Sequence, residues 1–429
     1  MNTKIIKEID KRDEIPEFWD FKTANTKTYS HGYHSYPAMM IPQLVNEFLD
    51  IVMENNKITN VFDPFMGSGT TLVEGLVHGL DVIGTDLNPL SRMISKVKTT
   101  VIEPQKMEEH LLDWKFNFDY EVDIRDKKPT FKNVEFWFKD YVIQDLTIIQ
   151  ENINNIEDKN FKEFLLLAFS ETIRDVSNTR GSEFKLYRMA KDTLAKWKPN
   201  VFEVMNSNLM KNIEGNHDLF NKIKENKNSV KILDNNVMNL KDIADSSFDL
   251  LITSPPYGDS RTTVAYGQFS RLSNQWLEAE GIAPEQVDNE LLGGRISKDI
   301  DIDFELNKLN SPTLQTTVLK LKEKNEKRAK EVFQFFFDLN KGLKEITRVM
   351  KEDSYQFWVV GNRTVLKSQI ETHKIIIELF ENLGVELVTY FTRGIPRKKM
   401  PSLNSPTNEK GKKVTTMNNE IIIVLRKKK

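Results

Sequence analysis

The chain has 429 residues, 39% of them hydrophobic, with 61 Lys and Arg against 63 Asp and Glu, giving a formal net charge of −2. This is enough apolar material for a large core and, at this length, for a main domain with sizeable insertions, but the near-neutral balance means that a polyanion would have to be met by local basic clusters. The absence of cysteine excludes disulfides, thiolate metal sites and cysteine nucleophiles, and with no run of about 18 apolar residues and no apolar stretch at the start, a soluble, cytoplasmic protein without membrane contact is expected.

Residues 1–58 read as an N-terminal segment in which His34-Ser35-Tyr36-Pro37-Ala38-Met39-Met40-Ile41-Pro42 leads into a helix. His31 and His34 have the spacing of a metal pair. No third ligand is near in sequence, so hydrogen-bonded or solvated histidines are the preferred reading and no metal is expected. Thr59-Asn60-Val61-Phe62 is the first strand, closed by Asp63-Pro64-Phe65-Met66-Gly67-Ser68-Gly69-Thr70. Gly67 and Gly69 permit backbone angles closed to other residues, and Thr70 and Thr71 open a helix whose free N–H groups favour an anion. Residues 81–86 are the second strand, with Asp86 at its tip. A glycine turn followed about 20 residues later by an acid also describes a dinucleotide fingerprint. Here the third glycine is replaced by Leu72, and a Pro-Phe pair inside the turn is atypical.

Residues 100–227 are helix-patterned and rich in Phe, Leu and Ile, so they are expected to form an inserted helical subdomain. The third strand follows at 230–234, ending in Asp234 with Asn235 beside it. The fourth spans 248–253 and runs into Ser254-Pro255-Pro256-Tyr257. A second insertion is expected at 278–330 and an amphipathic helix at 332–350. Further strands fit 355–360, 386–390 and 421–425. This alternation of strands and helices predicts an α/β fold with a parallel, doubly wound sheet. Two basic clusters stand out: Arg180, Lys185, Arg188, Lys191, Lys196 and Lys198 with Phe184, Tyr187 and Trp197 interleaved, and Arg393-Gly394-Ile395-Pro396-Arg397-Lys398-Lys399. Either can be a solvated face or a contact to phosphates.

Together the glycine turn and the Ser-Pro-Pro-Tyr tetrapeptide resemble the two signature motifs of the S-adenosylmethionine-dependent amino methyltransferases of DNA. The resemblance covers the sheet-forming parts, roughly 30–100 and 228–429. It implies a Rossmann-like methyltransferase sheet built from 59–99 and 228–429, carrying the helical insertion. It further implies a cofactor site made by Asp63, Pro64, Phe65, Gly67, Ser68, Gly69 and Thr70, by Asp86 on the ribose and Leu87 on the adenine, and by Asp234 and Asn235 near the adenine amine. Tyr36 and Pro37 would cover the methionine end.

In this family a serine in the first place of the tetrapeptide usually accompanies cytosine-N4 methylation, and a carboxylate or its amide accompanies adenine-N6. The missing cysteine agrees, because methylation of cytosine carbon 5 needs a covalent cysteine adduct and methylation of an exocyclic amine does not. Ser254 and the carbonyl of Pro255 would accept from the amine, Pro256 would rigidify the loop, and Tyr257 would stack on a base flipped from double-stranded DNA. Arg261, beside the tetrapeptide, and Arg393, Arg397, Lys398 and Lys399 of the basic loop would contact nucleic acid, and either insertion is a candidate to read the DNA sequence. A cognate restriction endonuclease is the expected partner. The alternatives are an adenine-N6 DNA enzyme, a guanine-N2 methyltransferase of tRNA, and a catalytically inactive specificity subunit that binds DNA.

Overall fold

The computed structural model describes residues 2–181, 183–259, 263–297, 300–395, 403–404, 414–415 and 419–428. Seven strands form the central sheet: β1 (Asn60–Asp63), β2 (Asp81–Thr85), β3 (Val230–Leu233), β4 (Phe248–Thr253), β5 (Met350–Val360), β6 (Val385–Gly394) and β7 (Asn419–Lys427). Their spatial order is β3-β2-β1-β4-β5-β7-β6. The pairs β1–β2, β2–β3, β1–β4 and β4–β5 are parallel, whereas β7 runs antiparallel to both β5 and β6. The doubly wound sheet is thus mostly parallel, with β7 alone reversed; a run such as 421–425 states which faces are apolar and leaves its direction open.

The central strands are apolar without interruption because both faces are covered. On one face Phe62, Leu251, Trp358, Val360 and Ile423 join a core closed by the helices Glu326–Val349 and Thr372–Glu381. On the other, Val61, Leu250, Ile252, Phe357, Val359, Ile422 and Val424 meet the helix Pro42–Met53. Adjacent residues of each strand thus enter opposite cores, as the period of two requires. The strand order reverses between β1 and β4. Their C-terminal ends form the crevice where an open α/β sheet binds ligands.

Residues 100–227 are largely helical, and the helices Asp140–Asn154, Lys159–Val176 and Val201–Ile223 build a third core that also takes in Phe269, Leu272 and Trp276 of the helix Tyr266–Trp276. This core therefore leans on the element that follows the Ser254 loop. In the second insertion, Leu306, Leu309, Leu314, Val318 and Leu321 are buried in the sheet core, and Glu378 accepts from Thr313 Oγ1 at 2.5 Å and from Ser311. Its helices buttress the Thr372–Glu381 helix.

Candidate functional site

β1 and β4 end side by side, with Val61 paired to Leu250 and Phe62 to Leu251. The loops that leave them bound a cleft with about 830 Å³ of space not filled by protein, its open mouth included. Pro64, Phe65, Met66, Gly67, Ser68 and Thr70 line it from the β1 loop, and Ser254 and Pro256 line it from the β4 loop. The two motifs, separated by about 190 residues of chain, share one wall because the sheet places their strands as neighbours.

The glycine loop is held by a dense set of bonds. Gly67 has φ +48° and its amide donates to Asp86 Oδ2 at 3.1 Å, while its carbonyl accepts from Ser91 Oγ at 2.5 Å and Ser95 Oγ at 3.1 Å. Gly69 has φ +75°, and a Cβ there would stand 2.8 Å from Ser95 Oγ and 3.1 Å from Ser95 Cα. Gly69 is not on the cleft wall; it lets the helix Pro89–Thr99 pack against the loop. Asp63 is also behind the wall, 1% exposed, accepting from Thr253 Oγ1 at 2.6 Å and Phe65 N at 3.1 Å. It ties the β1 turn to the end of β4. Burial pushes its carboxyl up to about 6, against the lowering effect of the Thr253 hydroxyl bond.

Asp86 and Leu87 line the opposite side. Asp86 Oδ1 accepts from Asn88 N at 2.8 Å, and the low-dielectric surroundings raise its carboxyl above the usual range. Arg92 Nη1 reaches back to the carbonyls of Asp86 and Leu87, at 3.1 and 2.9 Å, and fixes the turn. Tyr36, Pro37 and Ala38 cover the cleft from the N-terminal segment, and Asn88 Nδ2 donates to Tyr36 Oη at 3.1 Å. After β3, Asn235, Asn236 and Val237 line the cleft, whereas Asp234 is exposed and stands off the wall. Of the two residues expected on the adenine side, Asn235 lines the cleft and Asp234 does not.

At the tetrapeptide, Ser254 Oγ lies 3.4 Å from Tyr257 Oη, and Tyr257 Oη donates to Glu420 Oε1 at 2.9 Å. Glu420 Oε2 in turn pairs with Arg393 Nη1 at 3.1 Å. Pro255 and Tyr257 are not among the residues lining the cleft, and the Tyr257 hydroxyl is turned toward Glu420 of β7. Arg393 is 3% exposed. This corrects the expectation that it is a surface contact to phosphate: it faces inward because β6 extends to Gly394. Past Tyr257 the loop is pinned by Asp259, 1% exposed, whose Oδ2 accepts from Arg363 Nη1 at 2.9 Å. Arg261, Arg397, Lys398 and Lys399 lie outside the described residues.

His31 and His34 are buried. His31 Nε2 bonds Glu74 Oε1 at 2.7 Å and His34 Nε2 bonds Ser170 Oγ at 2.8 Å, and burial lowers the basicity of both rings. Among the described residues no group of three or more His, Asp or Glu could hold a metal ion. None of their helices is long and apolar enough to cross a membrane.

Sequence reasoning missed Asn88, Ser91, Ser95, Arg92, Tyr266, Glu290 and Glu420. The Asn88-Pro89 pair was a readable helix start, with Asn88 Oδ1 capping Leu90 N at 3.2 Å, and Ser91 and Ser95 fall on one helix face at a spacing of four. Glu420, 163 residues from Tyr257, had no local signal.

A family model described as DNA methylase matches residues 2–96. The chain is 47% identical over 428 residues to the Type II methyltransferase M.MvaI of Kocuria varians, covering 96% of this chain and 94% of that one. The chain belongs to the DNA amino methyltransferases. Type II methyltransferase M.BsoBI of Geobacillus stearothermophilus is more distant, 25% identical over 54% of this chain and 50% of its own. Among solved structures, an rRNA methyltransferase, aviRa from Streptomyces viridochromogenes, aligns over 94% of this chain and 90% of its own with 10% identity and a TM-score of 0.34, and the strand order here stands without it.

The methyl donor of this methyltransferase is S-adenosylmethionine. The cleft fits such a molecule: it lies at the strand-order reversal and offers a carboxylate at the tip of β2, the backbone of a glycine turn and the open start of the helix Thr70–Val77.

Proposed function

We propose that the enzyme methylates the exocyclic N4 of a cytosine flipped out of double-stranded DNA, as the modifying partner of a restriction endonuclease. One observation carries the choice of base: Ser254, a hydroxyl in place of a carboxylate or amide, is the hydrogen-bonding side chain that the β4 loop presents on the cleft wall beside the glycine turn. When bound, the cofactor supplies an electrophilic methyl group. The amine that receives it is a poor nucleophile because its lone pair is delocalised into the ring. In this reading Ser254 Oγ and the Pro255 carbonyl accept from the two N–H groups, draw the nitrogen toward tetrahedral geometry and free the lone pair. Pro255 and Pro256 remove competing amide donors and hold the loop.

In this reading the ring of Tyr257, whose hydroxyl is held by Glu420 beside Ser254, provides the stacking face for the flipped base. The glycine loop from Pro64 to Thr70, with Asp63 bracing it from behind, and Asp86, Leu87, Asn235, Tyr36 and Pro37 hold the cofactor. Asp86 takes the ribose hydroxyls, while the N-terminal amides of the helix Thr70–Val77 meet the carboxylate.

Plasmid DNA incubated with the enzyme and tritiated cofactor, then digested to nucleosides and identified by mass, is expected to yield N4-methylcytosine. N6-methyladenine as the labelled product would overturn the assignment of the base, and label on RNA alone would overturn the DNA substrate.

A further inference from the structure

Two insertions could have carried the contact to nucleic acid, and the structure treats them differently. The second buries Leu306, Leu309, Leu314, Val318 and Leu321 in the sheet core, its Lys322 is paired with Asp303 at 3.0 Å, and where it reaches the cleft its Glu290 is paired with Arg295.

The first insertion projects a hairpin between the helices Lys159–Val176 and Val201–Ile223. Thr179 and Arg188 form an antiparallel bridge, with Arg180 N donating to Tyr187 O at 2.8 Å and Met189 N to Asn178 O at 2.9 Å. Phe184 and Tyr187 on this hairpin are each 45% exposed. Residues 178–200 hold six Lys and Arg (Arg180, Lys185, Arg188, Lys191, Lys196 and Lys198) against two acids, Glu183 and Asp192. Among the described residues, Arg180 alone of the six has a carboxylate within 4.0 Å, that of Glu183 at 3.3 Å.

The hairpin is also anchored beside the cleft. Leu186 N donates to Gln268 Oε1 at 3.4 Å, and Phe184 lies against Phe269, with ring centroids 6.4 Å apart. Both partners sit on the helix Tyr266–Trp276, which follows the Ser254 loop and whose first residue lines the cleft. Phe269 in turn packs edge-on against Tyr36 of the cleft cover, with centroids 5.9 Å apart.

We propose that the hairpin strands around the Thr179–Arg188 bridge and the helix Lys191–Lys196 behind them grip the phosphate backbone of the DNA duplex next to the flipped base, with Phe184 and Tyr187 lying against the duplex. The inference rests on the reading of the enzyme as a DNA methyltransferase and adds the surface that holds the DNA. Exposed cations without carboxylate partners bind a polyanion by releasing its counterions, so the affinity falls with salt in proportion to the phosphates neutralised.

The test is fluorescence anisotropy with labelled fragments of a plasmid that the wild-type enzyme methylates, titrated between ~50 and ~200 mM KCl. Replacing Lys185, Lys191 and Lys196 together by Gln should lower the slope of log affinity against log salt by about 2 to 3 and weaken binding on the order of tenfold or more. Binding of S-adenosylmethionine, measured by calorimetry, should be unchanged. A matched change of Lys320, Lys322 and Lys324 to Gln should leave DNA binding as it is. A Phe184→Ser, Tyr187→Ser double variant should weaken binding and keep the slope, and it reports on the surface without altering charge. Wild-type slope and affinity in both hairpin variants, or an equal loss in the second-insertion variant, would overturn the proposal while leaving the wild-type methylation standing. A wild-type enzyme that neither bound nor methylated DNA would overturn both.

Discussion

Removing the carboxylate of Asp86 takes an acceptor from the cleft wall and frees the amides of Gly67 and Asn88 that it now holds. Asp86→Ala should weaken S-adenosylmethionine binding by about ten- to a hundredfold, the range expected for hydrogen bonds to a charged group. The turnover rate at saturating cofactor should change less. Calorimetric titration checks this, and an unchanged dissociation constant would remove Asp86 from the ribose role. Glu420 acts at the other end of the site, where it fixes the Tyr257 hydroxyl and pairs with Arg393. Glu420→Ala leaves a phenol and a buried guanidinium without their partner, so the orientation of Tyr257 beside Ser254 is lost. We expect kcat to fall by about ten- to a hundredfold with cofactor affinity unaltered, a loss of positioning rather than of binding. A loss confined to the KM for the cofactor would contradict this role.

Among the elements, the turn between β1 and the helix Thr70–Val77 concentrates the strain and the buried charge. Gly69→Ala forces a side chain into φ +75° and against Ser95, and should cost about 2 kcal/mol or more, read as a lower Tm. An unchanged Tm would show that the loop can shift.

Asp63 gives this turn a pH signature. Its carboxyl titrates near 6 in the folded chain against 3.8 unfolded, so between those values the native state holds the extra proton and stability is lost as pH rises from about 4 to about 6. The shift corresponds to about 3 kcal/mol. Asp63→Asn should flatten Tm across this window, and an identical profile would place the proton elsewhere. The glycine turn and β4 were legible because each joins a continuous apolar run to residues with special backbone demands. β5 was not read back to Met350, because Lys351, Glu352 and Asp353 look like a loop and Asp353 takes φ +62° at an irregularity in its pairing. The reach of β6 to Gly394, which buries Arg393, was hidden for a related reason: Thr392 and Arg393 are polar in an edge strand that has one wet face.

For the whole molecule, the seam between the helical insertion and the sheet domain buries an unmatched charge. Lys98 is 1% exposed and its Nζ has no hydrogen-bond partner among the described residues, with Glu171 and Lys211 the charges that act on it. Burial drives its ammonium down to about 7. Between that value and 10.5 the unfolded chain holds the extra proton, so stability from this group is present at high pH and lost as pH falls toward 7. Lys98→Met should raise Tm at pH ~7 and abolish the gain in stability between pH ~7 and ~10; an unchanged profile from scanning calorimetry would contradict the account of this seam. Sequence could announce the insertion and not its docking, since contacts such as His34 to Ser170 join residues 136 apart.

The central claim is that the loops after β1 and β4 form one site, across which a methyl group passes to an amine held by Ser254. Single-turnover methylation of plasmid DNA by Ser254→Ala, with cofactor and DNA binding measured in parallel, tests it most directly. The account predicts a chemical step slowed by about a hundred- to a thousandfold with both affinities within about twofold of wild type, as when one preorganised hydrogen-bonding group is removed from an active site. A wild-type rate of methyl transfer in that variant would contradict it.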